Sequence, residues 1–213
     1  MSDKPDFIGM DTETHLYFLR HGQTDNNKEG RMQGRVDIPL NAAGRAQAQA
    51  AAKMLADVRF DAVYASPLGR AVETAALVAG ISPRQVKEEP RAIEIDFGIW
   101  DNRLHKELEK ETKEFDILWD APERYVPPKG AEALPAVLAR VQDMLQDLGN
   151  RHPGGNVLVA THGGVQQAVL TLVEKRPLHN FWDDFLGNCG CVEVGTKDGS
   201  MRVISVLRPE MPR

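Results

Sequence analysis

The chain has 213 residues, 42% apolar and 27% charged, with a formal net charge of −5. That balance is ordinary for a globular protein and argues against one built as a whole to bind nucleic acid or an anionic membrane, while leaving room for a local basic pocket. No apolar run reaches membrane-spanning length, and MSDKPDFIGMDTET (1–14) lacks the basic and apolar regions of a secretion signal.

Residues 1–14 are therefore expected to be a flexible leader, with a single domain over 15–213. HLYFL (15–19) has strand composition and runs into Arg20-His21-Gly22. LNAAGRAQAQAAAKMLADV is alanine-rich and predicts a helix capped by Asn41. DAVYAS (61–66) predicts a second strand, followed by PLGRAVETAALVAG, a helix with Pro67 at its start and Gly80 at its stop. One or two short strands are expected over 84–95. RLHKELEKETKEF (103–115) carries opposite charges four apart, Arg103 with Glu107 and Glu109 with Lys113, and predicts one exposed helix. PERYVPPKG (122–130) reads as a proline-broken loop.

AEALPAVLARVQDMLQDL places apolar residues at 134, 137, 138, 141, 144, 145 and 148, one face of a helix, with Pro135 tolerable near its start. NVLVAT (156–161) is a near-continuous apolar run, as in a strand buried on both faces, and HGGVQQAVLTLVE opens a helix after it. CVEVG and MRVISVL read as closing strands. Cys189 and Cys191, two apart, would share one strand face as small packing residues. Two cysteines without a partner pair make neither a disulfide framework nor a four-ligand metal site, and such usage fits a reducing cytoplasm. Strands alternating with helices predict an α/β fold, a three-layer α/β/α sandwich with a largely parallel central sheet.

Three predicted strands end alike. HLYFL delivers Arg20 and His21, DAVYA delivers Ser66, Pro67 and then Arg70, and NVLVAT delivers His162 and two glycines. Parallel neighbours would bring these groups to one sheet edge, where α/β folds bind ligands. Two guanidiniums and two imidazoles suit a phosphoryl group, with helix N-termini after Gly22 and Gly164 adding backbone donors. Gly22 would let the chain turn sharply beside the anion. A neutral imidazole among cations is a nucleophile, and attack on phosphorus would leave a phosphohistidine. The leaving alkoxide needs an acid, for which Glu94 in RAIEIDFGIWDN is the candidate.

The chain resembles the histidine phosphatase superfamily, the phosphoglycerate mutase-like proteins, over roughly residues 15 to 195. The resemblance runs through LRHGQT (19–24) with Asn27, RMQG (31–34) and DIPL (37–40) with Gly44 and Gln47. It continues through SPLGRA (66–71) with Thr74-Ala75, Glu94 with Phe97-Gly98 and Trp100, Gly130-Ala131-Glu132, and THGG (161–164). It implies that His21 is the phosphorylated nucleophile and that Arg20, Arg70 and His162 hold the phosphoryl oxygens, assisted by Asn27 and the Gly163 backbone. It implies Glu94 as proton donor and acceptor, and no metal or other cofactor. The chain departs from the family pattern at Gln23, where many relatives carry glutamate, at Asp101-Asn102, where Glu-Gly is frequent, and at Ala131, where Gly is frequent.

Plainer roles compete at several positions. Arg70 would otherwise pair with Glu73. Gln33, Gly34 and Asp37 either line the pocket mouth, Gln33 and Gly34 then meeting substrate, or shape a loop. His15, His105, His152 and His179 read as surface or structural, and Trp100, Trp119 and Trp182 as packing residues, although Trp119 lies in a segment that can cap the site. The expected activity is hydrolysis of a small phosphate ester in the cytoplasm, with no nucleic-acid or membrane partner. Alternatives are a cofactor-dependent phosphoglycerate mutase, an α-ribazole phosphatase as the specific activity, and a phospho-ligand binder without catalysis. The mutases carry a longer, basic insertion, whereas the stretch from Glu94 to Gly130 here is short and more acidic than basic. Loop 98–130 is expected to read the leaving group.

Overall fold

The structure is a computed structural model and describes residues 13–210. Most of the expected leader, residues 1–12, lies outside them. The boundary expected at residue 15 moves, because Thr14 already belongs to the first strand, is buried, and donates its hydroxyl to the His152 carbonyl at 2.8 Å.

Six strands form one sheet among the described residues: β1 (Thr14–Arg20), β2 (Ala62–Ala65), β3 (Lys87–Glu88), β4 (Asn156–Thr161), β5 (Cys191–Lys197) and β6 (Ser200–Leu207), in the order β3-β2-β4-β1-β5-β6. The first four are mutually parallel, and β5 and β6 add an antiparallel edge. β4 lies at the centre and is buried from Val157 to Thr161, as its unbroken apolar run requires.

Alternation along the strands divides the core in two. Leu16, Phe18, Val157 and Val159 face α6 (Leu134–Arg151) and α7 (Gly163–Val173). Tyr17, Leu19, Leu158 and Ala160 face α2 (Ala42–Met54) and α3 (Gly69–Ala79), whose contacts are mostly alanines. Small side chains there let those helices lie close to the sheet. α6 buries Leu134, Val137, Val141, Met144, Leu145 and Leu148, the expected face, with Leu138 packed at its margin. Truncating one of these large core side chains to alanine costs about 2–5 kcal/mol.

Register makes the strand ends converge. Arg20 pairs with Thr161 and Ala65 with Ala160, so β1, β2 and β4 finish level. The next residues stay in step, with the His21 N–H on the Thr161 carbonyl and the Ser66 N–H on the Ala160 carbonyl, each at 2.9 Å.

Several expectations are corrected. The helix expected over 103–115 is two, α4 (His105–Glu111) and α5 (Lys113–Asp120), after a short α1 (Asp25–Glu29) earlier in the chain. Thr112, extended at φ −151°, ends α4, and its side chain caps α5. Arg103 pairs with Glu111 instead of Glu107. Within 84–95 the strand is only Lys87–Glu88, and Glu94 follows a 3-10 turn over Pro90–Ala92. Cys189 precedes β5 at φ 59°, so the cysteines share a core but not a strand face; both thiols are free. α3 begins at Gly69, two residues after Pro67, and ends as expected at Gly80 with φ 65°.

Candidate active site

His21 sits where β1 ends, buried. Its Nδ1 lies 2.7 Å from the Gly22 carbonyl oxygen, which can only accept, so Nδ1 carries the proton and Nε2 keeps its lone pair. Burial, then the charges of Arg70 and Arg20, hold its pKa well below the ordinary histidine value. The ring is therefore neutral at physiological pH.

Arg20 is fixed by NH1 on the Leu186 carbonyl at 2.7 Å and by the Phe185 ring, 4.7 Å from its guanidinium carbon. Burial lowers its pKa to about 10, so it stays cationic. Arg70 is fully buried, with NH1 on the Val36 carbonyl at 2.9 Å and NH2 on the Gly34 carbonyl at 2.6 Å. Its competing partner is absent, because Glu73 pairs with Arg45 at 2.6 Å. The loop holding Arg70 is itself held by Asp101, whose carboxylate accepts the N–H groups of Gly34, Arg35 and Val36 at 2.8, 2.9 and 2.8 Å. Asn102 follows at φ 64°, a left-handed backbone that asparagine tolerates in place of glycine.

His162 caps α7 and lies beside His21, ring centroids 5.1 Å apart. Its Nε2 meets the Ser66 hydroxyl at 2.8 Å. That hydroxyl oxygen also accepts the Leu68 N–H at 3.3 Å. Among the described residues, the buried polar atoms without a hydrogen-bond partner include His162 Nδ1, Arg20 Nε, Arg70 Nε and Gln33 Nε2. Buried polar atoms are seldom left so, and these four belong to one cluster of site residues.

Glu94 is buried, with Oε1 accepting the Ile95 N–H at 2.9 Å and Oε2 the Gly164 N–H at 3.1 Å. Burial outweighs these bonds and the nearby arginines and raises its pKa. One backbone donor expected at the start of α7 is thus taken by the acid. Two of the donors expected after Gly22 are also committed, since the Thr24 and Asn27 backbone N–H groups are taken by a reciprocal capping box on α1. The requirement at Gly22 differs from the sharp turn expected. A Cβ there would stand 2.4 Å from the Gly44 carbonyl oxygen, so glycine lets β1's end approach the start of α2.

Asn27 and Gln33 form an amide pair, with Asn27 Nδ2 donating to Gln33 Oε1 at 3.0 Å. Asn188 Nδ2 donates to Asn27 Oδ1 and to the His21 carbonyl, each at 3.1 Å. These bonds fix which end of each amide is the donor.

A cleft of about 340 Å³ opens over the cluster, lined by Arg20, His21, Asn27, Gln33, Glu94 and Gly163 among others. His162 packs against His21 at the floor of this cleft, and the Gly34 carbonyl holds Arg70. A Cβ at Gly163 would meet Phe185 at 2.7 Å, so glycine keeps this wall thin. Trp119 and Trp182 pack against the core as expected, Trp119 in the segment expected to cap the site, and with His105 and Phe185 they also line the mouth of the cleft. Phe185 and Asn188 were not singled out in the sequence, because each meets residues distant in the chain, Phe185 the Arg20 guanidinium and Asn188 the His21 carbonyl and Asn27. Among the described residues, no group of three or more His, Cys, Asp and Glu side chains is placed to hold a metal ion, and no helix is long and apolar enough to cross a membrane.

A family model described as the histidine phosphatase superfamily (branch 1) matches residues 16–207. The chain belongs to this superfamily. Among histidine phosphatase relatives, phosphoserine phosphatase 1 of Hydrogenobacter thermophilus is 32% identical over 167 residues, 78% of this chain and 79% of its own. The adenosylcobalamin/alpha-ribazole phosphatase of Escherichia coli is 31% identical over 193 residues, 89% of this chain and 95% of its own. The solved structure of Bacillus stearothermophilus YhfR superposes with a TM-score of 0.83 at 34% identity, covering 90% of this chain and 95% of that one.

Proposed function

We propose that the chain is a metal-independent phosphomonoester hydrolase that works through a phosphohistidine on His21. The observation that carries this reading is the state of His21: buried and neutral, with its proton held on Nδ1 by the Gly22 carbonyl and Nε2 unprotonated in the cleft. The relatives named above as phosphatases support the same class of activity.

In the first step Nε2 attacks phosphorus, an N–P bond forms, and the bond from phosphorus to the leaving oxygen breaks. Arg20 Nε, Arg70 Nε and His162 Nδ1, buried atoms without protein partners, stabilise the charge on the phosphoryl oxygens, with Asn27 and the Gly163 backbone beside them. The two guanidiniums supply the positive charge. Glu94, protonated in its buried site, gives its proton to the leaving alkoxide. In the second step Glu94 takes a proton from water, whose oxygen attacks phosphorus. The N–P bond breaks, and inorganic phosphate leaves with both residues restored.

Phosphomonoesters that include 3-phosphoglycerate, assayed for phosphate release with wild type and His21→Ala, test this. Hydrolysis by the wild type that disappears in the variant supports it. Isomerisation of 3-phosphoglycerate without phosphate release assigns a mutase instead, and tight phosphate binding without turnover assigns a binder.

A further inference from the structure

The leaving group must lie between the phosphoryl clamp and the mouth of the cleft, and the mouth is aromatic. Trp119 and Trp182 pack with ring centroids 4.6 Å apart, and Phe185 lies 6.1 Å from Trp182. His105 extends the wall, 5.8 Å from Trp119. The rings are held in place before any substrate arrives, because the Trp182 indole N–H donates to the Leu118 carbonyl at 2.5 Å. Phe185 joins this wall to the clamp, since its ring stacks on the Arg20 guanidinium yet remains 46% exposed.

Charge is scarce there. The lining cations among the described residues are Arg20, assigned to the phosphoryl group, and Arg31, which is spent on Glu29 at 2.7 Å and on the Asn102 carbonyl at 2.9 Å. Burial lowers the pKa of His105, which keeps it neutral near pH 7. A carboxylate on the leaving group would lose water here and meet only Arg31, which already pairs with Glu29. A flat ring would exchange water for contact with the aromatic wall of Trp119, Trp182 and Phe185.

Resting on the hydrolase reading, we infer that this cleft selects phosphomonoesters whose leaving group carries a planar, uncharged ring over those carrying a carboxylate. Benzyl phosphate, O-phosphoserine and 3-phosphoglycerate, all alkyl esters, provide the comparison without the bias of a phenolic leaving group. Aromatic contact is expected to favour benzyl phosphate in kcat/KM by about tenfold over either acid. Trp119→Leu and the more exposed Phe185→Leu should each shrink that ratio, read mainly in KM, with circular dichroism checking the fold. The inference is overturned if either acid equals or exceeds benzyl phosphate, or if neither variant moves the ratio. Competition with benzylphosphonate separates the two readings. Its binding, weakened in the variants, without turnover of any ester keeps the ring pocket and removes the hydrolase. Its failure to bind while an acid ester is hydrolysed keeps the hydrolase and removes the ring pocket.

Discussion

At the floor of the cleft, Arg20, His21, Arg70 and Glu94 are polar groups held by backbone partners. At its mouth, Trp119, Trp182 and Phe185 are rings held largely by one another. The floor is buried and its donors and acceptors are fixed one by one: Arg20 on Leu186, His21 on Gly22, Arg70 on Gly34 and Val36, Glu94 on Ile95 and Gly164. A group displaced there would face unsolvated charge, so the arrangement is rigid by necessity. The mouth is neutral and partly exposed, and its contacts are additive and replaceable. On the proposed mechanism, chemistry common to every phosphomonoester belongs to the floor, and on the inference above discrimination among esters belongs to the mouth.

Variants that break the floor should therefore depress all esters together. His21→Ala is expected to have the largest effect, a loss of about 10⁴-fold or more in kcat, because it removes the group that forms the intermediate. Rapid quench with a labelled ester should also show no acid-labile phosphoenzyme. Glu94→Gln should cost about 10²–10⁴-fold in kcat/KM with alkyl esters and much less in kcat/KM with p-nitrophenyl phosphate, whose leaving group needs no proton, while the attack of water on the intermediate slows for every ester.

The pH profile sharpens the same contrast. His21 must be neutral to attack, and its pKa is lowered, so the acid limb of kcat/KM should fall well below the ordinary histidine range. Glu94 must be protonated to act as an acid, and its pKa is raised, so the rate should decline as pH climbs through a value above that of a free glutamate. Glu94→Gln should remove that alkaline decline. Arg70→Met should cost about 10²–10³-fold and also move the acid limb upward, since one of the charges that depresses the His21 pKa is gone. Changes at the mouth come next, with Trp119→Leu expected to alter selectivity by about tenfold at most and to leave both limbs in place. The smallest expected effect is on the scaffold. Gly22→Ala forces a Cβ toward the Gly44 carbonyl and should lower stability by about 1–3 kcal/mol in a denaturant titration.

Arg20, His21 and His162 were legible in the sequence because each lies at the end of a strand readable by itself, and Arg70 lies in the first turn of the helix that follows β2. HLYFL, DAVYAS and NVLVAT announce β1, β2 and β4 through local composition, and the residue after each strand follows by covalent continuity. Helix faces were equally readable where burial is one-sided, as in α6. Legibility failed where a long-range partner decides. The break at Thr112, whose side chain caps α5, and the pairing of Arg103 with Glu111 lie outside the four-residue charge spacing that the sequence showed. Glu94 was found through its motif, while its place after a 3-10 turn was missed, because Pro90 and Arg91 read locally as part of an extended segment.

The sequence by itself determined the fold class, the strand ends and the identity of the groups at the floor, since apolar period and chain order are local properties. Only the tertiary structure decided their state. The level register of β1, β2 and β4 brings Arg20, His21 and His162 together at one edge of the sheet. The low dielectric of that packed site keeps the histidine neutral and raises the acid. The mouth was decided there too: Trp119 and Trp182 are 63 residues apart in sequence by their numbering and 4.6 Å apart in space. No local pattern encodes a contact of that span, because it exists only after both segments have docked against the same core.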